Sequence, residues 1–213
     1  MQLRLVQRGN EFAILLDRTE LMSTRVSASE EALATMTCAR LGARVAPELL
    51  IGGYGMGYTL RSALAVLGVD ATVTLAELVP EIIEWARGPM EGLTAGCLDD
   101  PRLQLVSGDV AILIDAARAG YDAILLDVDN GPEGITRLDN DLLYTARGLR
   151  AAWLALKAGG ILAIWSAGPD AAFVVRLKDA GFRVEEVSVR ERAGNRGAHH
   201  VIWFAYRLGE DLS

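Results

Sequence analysis

The sequence predicts an α/β fold in which a mostly parallel, seven-stranded sheet is completed by an antiparallel hairpin. Three observations lead to this prediction. Short apolar runs alternate with longer amphipathic segments from Pro47 to Trp165. A glycine-rich turn directly follows the first of these runs, and the last two strand-like segments have no helix between them. Together these features are typical of a Rossmann-like domain.

The N-terminal residues predict a short hairpin and a helix. Leu3 to Val6 and Phe12 to Leu16 resemble two strands joined by a Gly-Asn turn. Ser27 or Ser29 is a candidate N-cap for a helix that Gly42 ends. Since 213 residues are few for two full domains, we expect residues 1–26 to form an N-terminal β-hairpin segment and residues 27–213 a single Rossmann-like domain.

The later elements follow in the order strand, helix, strand. A helix with apolar positions from Leu138 to Leu156 is expected to end at Gly159-Gly160, and another is expected near Ala171 to Ala180. The predicted core strands are Leu49 to Ile51, Ala71 to Ala76, Leu103 to Val106, Ala123 to Leu126 and Ile161 to Trp165. The predicted terminal hairpin consists of Val184 to Val189 and Val201 to Tyr206. A parallel sheet completed in this way is the layout of class I methyltransferases.

Composition and charge restrict the possible partners. No apolar run approaches the roughly 20 residues that span a bilayer, and the first residues show no export signal. The net charge of −7 disfavours binding to nucleic acid. Cys38 and Cys97 lack the spacing of a zinc site, and adjacent His199 and His200 would point to opposite faces of a strand. We therefore expect a cytoplasmic protein without a membrane, nucleic-acid or metal partner.

The glycine-rich turn is the strongest sign of a ligand. Residues 52–57 read Gly-Gly-Tyr-Gly-Met-Gly between a predicted strand and a predicted helix, where glycines let the backbone approach a nucleotide-like ligand. Tyr58 occupies the position where a dinucleotide motif needs glycine or alanine, and no Gly-Lys-Ser/Thr phosphate loop follows. The register favours an S-adenosyl compound, with these glycines as candidate contacts: Gly52, Gly53, Gly55 and Gly57.

Carboxylates follow the next two predicted strands. Glu77 ends the second strand, where it could accept hydrogen bonds from both ribose hydroxyls. The alternative is a solvent-exposed carboxylate at a strand end. Asp109 follows the third strand at the same edge of the sheet and could accept the adenine amino hydrogen, and its neighbour Val110 is included in the predicted cofactor site.

Asp127 follows the fourth predicted strand and is the candidate general base. An ammonium acceptor must lose a proton before it attacks the carbon bonded to a sulfonium sulfur, and a nearby carboxylate can take that proton. The alternative is an aspartate that caps the following turn. Asp129 and Asn130 come next and are candidate substrate contacts.

Residues 51–61, Ile-Gly-Gly-Tyr-Gly-Met-Gly-Tyr-Thr-Leu-Arg, resemble the glycine motif of the spermidine synthases, Ile-Gly-Gly-Gly-Asp-Gly-Gly-x-x-Leu-Arg. Residues 80–83, 100–102, 108–109 and 121–127 follow in that family's order. The resemblance implies that Glu77 holds the ribose, Asp109 the adenine, and Asp127 is the base of aminopropyl transfer from decarboxylated S-adenosylmethionine. It also implies polyamine biosynthesis and a possible homodimer.

The sequence departs from the family pattern at three places that concern the substrates. Gly55 replaces the loop aspartate that binds the amine of the aminopropyl group, and Asn130 replaces a second substrate aspartate unless Asp129 substitutes for it. Ser29-Glu30-Glu31 replaces a Tyr-His-Glu motif on the first helix. Each lost carboxylate removes a charge-assisted contact worth about 1.5–3 kcal/mol.

The leading prediction is therefore a spermidine synthase-like transferase that alkylates a small-molecule amine with S-adenosylmethionine or its decarboxylated form as co-substrate. One alternative is an S-adenosylmethionine-dependent methyltransferase, which the loss of the loop aspartate favours. A second is a non-catalytic nucleoside-binding relative. A dinucleotide oxidoreductase is disfavoured by Tyr58 and by the terminal hairpin. Trp165-Ser166 ends the fifth strand and could line the acceptor pocket or belong to the core.

Overall fold

The computed structural model of the chain describes residues 2–128, 140–192 and 196–209. The strands are β1 (Leu3–Arg8), β2 (Glu11–Leu16), β3 (Thr19–Ser23), β4 (Glu48–Gly52), β5 (Thr72–Glu77), β6 (Leu103–Ser107), β7 (Tyr121–Leu126), β8 (Leu156–Ser166), β9 (Phe182–Arg192) and β10 (Arg196–Arg207). The α-helices are α1 (Ala28–Leu41), α2 (Tyr58–Val66), α3 (Pro80–Arg87), α4 (Glu91–Thr94), α5 (Val110–Ala116), α6 (Ala146–Ala155) and α7 (Ala171–Asp179). None of the helices in these ranges is long and apolar enough to cross a bilayer.

The central sheet has seven strands in the spatial order β6-β5-β4-β7-β8-β10-β9. Strands β4 to β8 pair in parallel, and β10 runs antiparallel to both β8 and β9. The strand order reverses direction along the chain between β4 and β7, so the loops after these strands open a crevice at the carboxyl edge of the sheet. This architecture confirms the predicted Rossmann-like fold with a terminal antiparallel hairpin.

The sheet is covered on both faces, which explains the unbroken apolar runs. In β4, Leu49 and Ile51 join a core with α1, α2 and α3. Leu50, between them, points to a second core with α5, α6 and α7. All three side chains are fully or almost fully buried. Because successive side chains of a strand alternate between faces, only an entirely apolar strand satisfies two helical layers at once.

The N-terminal segment is a three-stranded antiparallel sheet, one strand larger than the predicted hairpin. Strand β3 returns along β2 after a turn at Asp17, whose φ of 54° is left-handed. Its sequence, Thr-Glu-Leu-Met-Ser, does not alternate cleanly, so it lacks the usual signal of a half-buried strand. Phe12 and Ile14 of β2 belong to the same core as α1 and α2.

The predicted end of the helix at Gly159-Gly160 is wrong. Helix α6 ends at Ala155, and strand β8 begins at the next residue. The carbonyls of Leu154 and Ala155 accept hydrogen bonds from Ala119 and Gly120, both at 2.8 Å, so the helix is closed by a neighbouring loop and not by its own glycines. Leu138, at the start of the predicted helix, lies outside the described residues.

Candidate active site

A cleft of about 380 Å3 lies at the carboxyl ends of β4, β5, β6 and β7, a size typical of small-molecule sites. Its floor contains most of the predicted site residues, whereas its roof comes from the N-terminal sheet. The floor includes Gly53, Gly55, Glu77, Asp109, Val110 and Asp127. The roof includes Leu3, Ile14, Leu16, Leu21 and Met22.

Left-handed φ angles and close neighbours require glycine at two positions of the turn between β4 and α2. Gly53 has a φ of 87°, and a Cβ atom added there would lie 2.6 Å from the carbonyl oxygen of Asp127. Gly57 has a φ of 76°, and its Cβ would meet the Tyr54 ring at 2.7 Å. The Gly53 N–H donates to the Ala76 carbonyl at 2.9 Å. The turn is thereby fixed against the ends of the two strands beside β4.

Gly52 and Gly55 have different surroundings. Gly52 ends β4 and rests against Val110, which a Cβ would approach to 3.0 Å. Gly55 has a φ of 56°, and its nearest neighbour in the region of a Cβ is the Met22 sulfur at 3.2 Å. At the position where the resembling motif carries a carboxylate, the cleft of this chain is therefore bordered by a thioether from the roof.

Glu77 is 5% exposed, which excludes the solvent-exposed alternative. Its Oε2 accepts the Tyr54 N–H and its Oε1 accepts the Val79 N–H, both at 2.8 Å. Burial raises the pKa of the Glu77 carboxyl, and N–H groups of Tyr54, Val79, Gly55 and Leu78 oppose that rise. Backbone N–H groups of the turn and of the end of β5 thus surround the carboxylate, which braces the glycine turn, and a ligand hydroxyl would share these oxygens with them.

Asp109 has a structural function besides lining the cleft. It is the N-cap of α5, and its Oδ1 accepts the Ala111 N–H at 2.8 Å. Val110 follows as a buried residue that packs beneath the glycine turn. The second carboxylate oxygen of Asp109, at the same edge of the sheet as Glu77, accepts no side-chain or backbone hydrogen bond from the residues that the structure describes.

Asp127 lines the cleft immediately after β7. Its Oδ2 accepts a hydrogen bond of 3.0 Å from the Thr59 hydroxyl in the first turn of α2, and no described N–H group reaches its carboxylate. Burial raises the pKa of Asp127 to about 6, and the Thr59 hydrogen bond opposes the rise. The carboxylate is held from the side by α2 and does not cap a turn within the described residues.

Two of the predicted substrate residues cannot be compared with the structure. Asp129 and Asn130 lie outside the described residues. His199 and His200 are separated as predicted: His199 Nδ1 lies 3.1 Å from Ser188 Oγ, and His200 Nδ1 lies 3.0 Å from Ser29 Oγ. In the described ranges, no group of three or more His, Cys, Asp or Glu side chains is arranged to hold a metal.

The sequence interpretation missed three parts of this region. Thr59 was only part of the glycine motif, although it contacts Asp127. Glu30 entered only as one of the residues that replace the Tyr-His-Glu motif, yet it interacts electrostatically with Asp127. The apolar roof gave no signal, because its residues belong to strands whose packing partner is distant in sequence. The departure from the family motif at residues 29–31 was the one indication that could have drawn attention to Glu30.

The fold and the strand-end cleft define the class: this is a class I Rossmann-like domain of the kind shared by methyltransferases and spermidine synthases. Spermidine synthase from Thermotoga maritima matches with a TM-score of 0.73 and 21% identity, over 92% of this chain and 65% of that one. TrmN from Thermus thermophilus matches with a TM-score of 0.56 and 22% identity, over 84% of this chain and 48% of that one. At these identities the likeness concerns the fold.

Sequence comparison narrows the resemblance from the fold to one group of proteins, the polyamine aminopropyltransferases. The polyamine aminopropyltransferase of Mycobacterium tuberculosis strain H37Rv is 27% identical over 187 residues, which cover 84% of this chain and 34% of the relative. Polyamine aminopropyltransferase 2 of Pseudomonas aeruginosa is 32% identical over 121 residues, 55% of this chain and 32% of the relative. The chain spans about a third of the length of these curated relatives. No family model matches it. The resemblance to the spermidine synthase-like proteins is confirmed.

Proposed function

We propose that this protein is a transferase that alkylates a small-molecule amine with an S-adenosyl sulfonium donor. The relatives that it resembles are named polyamine aminopropyltransferases, which is a reaction of this kind. The observation that carries the proposal is Asp127, a buried carboxylate at the cleft whose one described partner is a hydroxyl group. The adenosine part of the donor would lie along the glycine turn, with its ribose at Glu77 and its base near Asp109 and Val110.

The residues of the cleft suit an in-line displacement. The donor supplies an electrophilic carbon bonded to a sulfonium sulfur. Asp127 takes a proton from the acceptor ammonium, the amine nitrogen forms a bond to that carbon, and the carbon–sulfur bond breaks. Since the pKa of Asp127 is raised to about 6, the carboxylate is ionised at neutral pH yet basic enough to accept a proton. Thr59 orients the carboxylate through its hydroxyl hydrogen bond.

A second candidate is transfer of a methyl group from S-adenosylmethionine. The environment of Gly55 supports it, since the Met22 sulfur borders the position where a carboxylate would bind the donor amine. A methyl group needs no such anchor. A nucleoside-binding protein without turnover is the remaining alternative, and the Asp127→Asn variant separates it from both transferases.

The test compares Asp127→Asn with the parent protein for turnover of both donors against a set of diamines. General-base catalysis contributes roughly 10²–10⁴-fold, so we expect kcat to fall by at least about 100-fold while the affinity for 5′-methylthioadenosine, the nucleoside part of the donor, changes little. The parent rate should decline as the pH falls below about 6, because the base becomes protonated. Asp115→Asn, an exposed position on α5, is the control. Equal turnover in Asp127→Asn and parent would contradict the role of Asp127, and failure of both donors to bind would contradict the function.

A further inference from the structure

Glu30 is a buried acid that the proposed chemistry does not yet use. It lies in the first turn of α1, which is fixed to the terminal hairpin by a hydrogen bond between Ser29 Oγ and His200 Nδ1. The Trp165 ring packs edge-on against His200 with ring centroids 4.7 Å apart. The Glu30 residue as a whole is part-buried, but its carboxyl oxygen Oε2 is fully buried and has no hydrogen-bond partner among the described residues.

The Glu30 carboxyl is close enough to Asp127 to interact with its charge. Thr59 connects the two positions, because its hydroxyl is 3.0 Å from Asp127 Oδ2 and 3.4 Å from the Glu30 carbonyl oxygen. Burial raises the pKa of Glu30 to about 9, and the charges of Asp127 and Glu31 add to that rise. The carboxyl is therefore protonated at neutral pH, next to a carboxylate that is ionised.

The nearby cation, Arg61, does not form an ion pair that neutralises the Glu30 and Asp127 carboxyls in the described ranges. Arg61 lowers the pKa of Glu30, but its guanidinium donates to the Leu93 carbonyl and lies over the Tyr58 ring, 4.6 Å from the centroid. No ion pair within 4.0 Å joins Arg61 to Glu30 in the described ranges. An unpartnered buried oxygen costs free energy unless something binds to it, and a cation that donates hydrogen bonds satisfies both the charge and the oxygen.

An alkylammonium ion has the chemistry that fits. Its three N–H donors suit a small number of acceptor oxygens. The buried Glu30 Oε2 has no hydrogen-bond partner in the described ranges, and the hydrogen bond from Thr59 to the Asp127 carboxylate goes to Oδ2. A hard divalent cation would need six or more oxygen ligands, whereas the described residues supply no third carboxyl, His or Cys to such a group. Once ionised, Glu30 supplies a negative charge in a protein whose glycine turn lacks a carboxylate at Gly55.

We propose that Glu30 and Asp127 form a carboxyl pair that binds the ammonium group of a substrate, and that Glu30 loses its proton to solvent when the ammonium arrives. This inference rests on the proposed function, because it assigns the cation site of the same transferase. The ammonium belongs either to the acceptor amine or to the aminopropyl group of the donor. In both cases one proton leaves Glu30 and two carboxylates then face one cation.

Calorimetric titration in two buffers of different ionisation enthalpy, at pH 7.5, measures the proton released on binding. The probes are 5′-methylthioadenosine, which has no ammonium group, decarboxylated S-adenosylmethionine, and n-butylamine added to the free and to the methylthioadenosine-loaded protein. Release of up to about one proton with the decarboxylated donor assigns the pair to the donor amine. Release with butylamine assigns it to the acceptor. Methylthioadenosine alone should release none.

The variant Glu30→Gln keeps the shape of the side chain and should abolish this proton release. It should also weaken ammonium binding by at least about 10-fold, the effect of one charge-assisted hydrogen bond, while leaving the affinity for methylthioadenosine and the melting temperature nearly unchanged. Glu84→Gln, at an exposed position on α3, is the matched control and should keep the release.

The outcomes separate the two proposals. Binding of methylthioadenosine with no proton release for either amine, or equal release in Glu30→Gln and parent, overturns the carboxyl pair and leaves the transferase proposal intact. Failure of methylthioadenosine to bind counts against the transferase proposal, and butylamine on the free protein then tests the pair by itself.

Discussion

Three buried or cleft-lining carboxylates at the sheet edge differ in their partners, and those partners divide their functions. Glu77 is bound by backbone N–H groups on both oxygens, so it is committed to the shape of the glycine turn. Asp109 uses one oxygen to cap α5. Among the described residues, Asp127 accepts a hydrogen bond from the Thr59 hydroxyl alone. A general base has to exchange a proton with a substrate. Of these three residues, Asp127 would have the fewest described hydrogen bonds disturbed by protonation.

Gly55 offers a direct test of donor preference. Asp is among the residues that tolerate a left-handed φ such as the 56° found here, and its Cβ would meet only the flexible Met22 side chain, at 3.2 Å for the sulfur. We expect Gly55→Asp to increase the affinity for decarboxylated S-adenosylmethionine relative to S-adenosylmethionine by about 10-fold, from one charge-assisted contact. Calorimetry measures both constants.

The control for this prediction is Gly55→Asn, which has nearly the same shape without the charge. If Gly55→Asn shifts the preference as much as Gly55→Asp does, the cause is steric, and the amine of the donor does not lie near this position.

At the scale of elements, the position of the glycine turn is fixed by hydrogen bonds at the carboxyl ends of neighbouring strands. The Gly53 N–H is bound to the Ala76 carbonyl at the end of β5, and the Asp127 N–H is bound to the Gly52 carbonyl. The turn is therefore hydrogen-bonded to the strand ends that carry Glu77 and Asp127. This coupling explains why residues 75 positions apart in the sequence form a single cleft floor.

Among glycine-to-alanine substitutions in this turn, we expect Gly53→Ala to destabilise the protein most. The φ of 87° is strained for any L-residue, and the added Cβ would lie 2.6 Å from the Asp127 carbonyl oxygen, so the cost should be at least about 2 kcal/mol. Gly68→Ala, in the loop after α2, meets nothing within 4 Å and should change the unfolding free energy by less than about 0.5 kcal/mol. Urea unfolding compares the two, and equal stabilities would contradict the close approach.

At the scale of the whole molecule, β7 carries acids of opposite character at its two ends. Asp127, at the carboxyl end, has no described cation partner. Asp122, at the other end, is 4% exposed and binds Arg44 at 2.5 Å and Lys157 at 2.8 Å. It also accepts the Glu48 N–H at 2.8 Å. This ion network joins β4, β7, β8 and the loop after α1, so it holds the sheet together on the side away from the cleft.

The two ends should respond oppositely to pH. Burial would raise the pKa of Asp122, but the Glu48 N–H and the Lys157 and Arg44 side chains outweigh it and lower the pKa below its ordinary value of 3.8. Its contribution to stability is therefore present above about pH 4 and is lost as the pH falls through the lowered value. For Asp127 the raised pKa means that ionisation, and not protonation, opposes folding.

We expect Asp122→Asn to destabilise the protein by about 2 kcal/mol at pH 7, because it removes the buried charge that the half-buried Arg44 and Lys157 share. The difference from the parent should shrink as the pH drops below about 4. Urea unfolding across this range measures it, with Asp115→Asn as the exposed control. If the difference in stability did not change with pH, the loss in Asp122→Asn would come from packing and not from the missing charge.

Most of the sheet could be predicted because its strands are buried on both faces, so that runs such as residues 49–51 and 123–126 are apolar without interruption. The end of α6 could not be predicted, since the groups that close it, the N–H groups of Ala119 and Gly120, come from another part of the chain. Strand β3 escaped prediction because its pairing with β2, and not its own pattern, makes it a strand.

The sequence by itself determined the Rossmann-like fold, the glycine turn and the three strand-end acids, because each of these depends on local periodicity or on a short motif. Only the tertiary structure brought Thr59 and Glu30 to Asp127 and put Met22 over Gly55. The physical reason is that the charge state of a buried carboxyl depends on what surrounds it in space, and those neighbours are contributed by α1, α2 and β3, which have no sequence relation to β7.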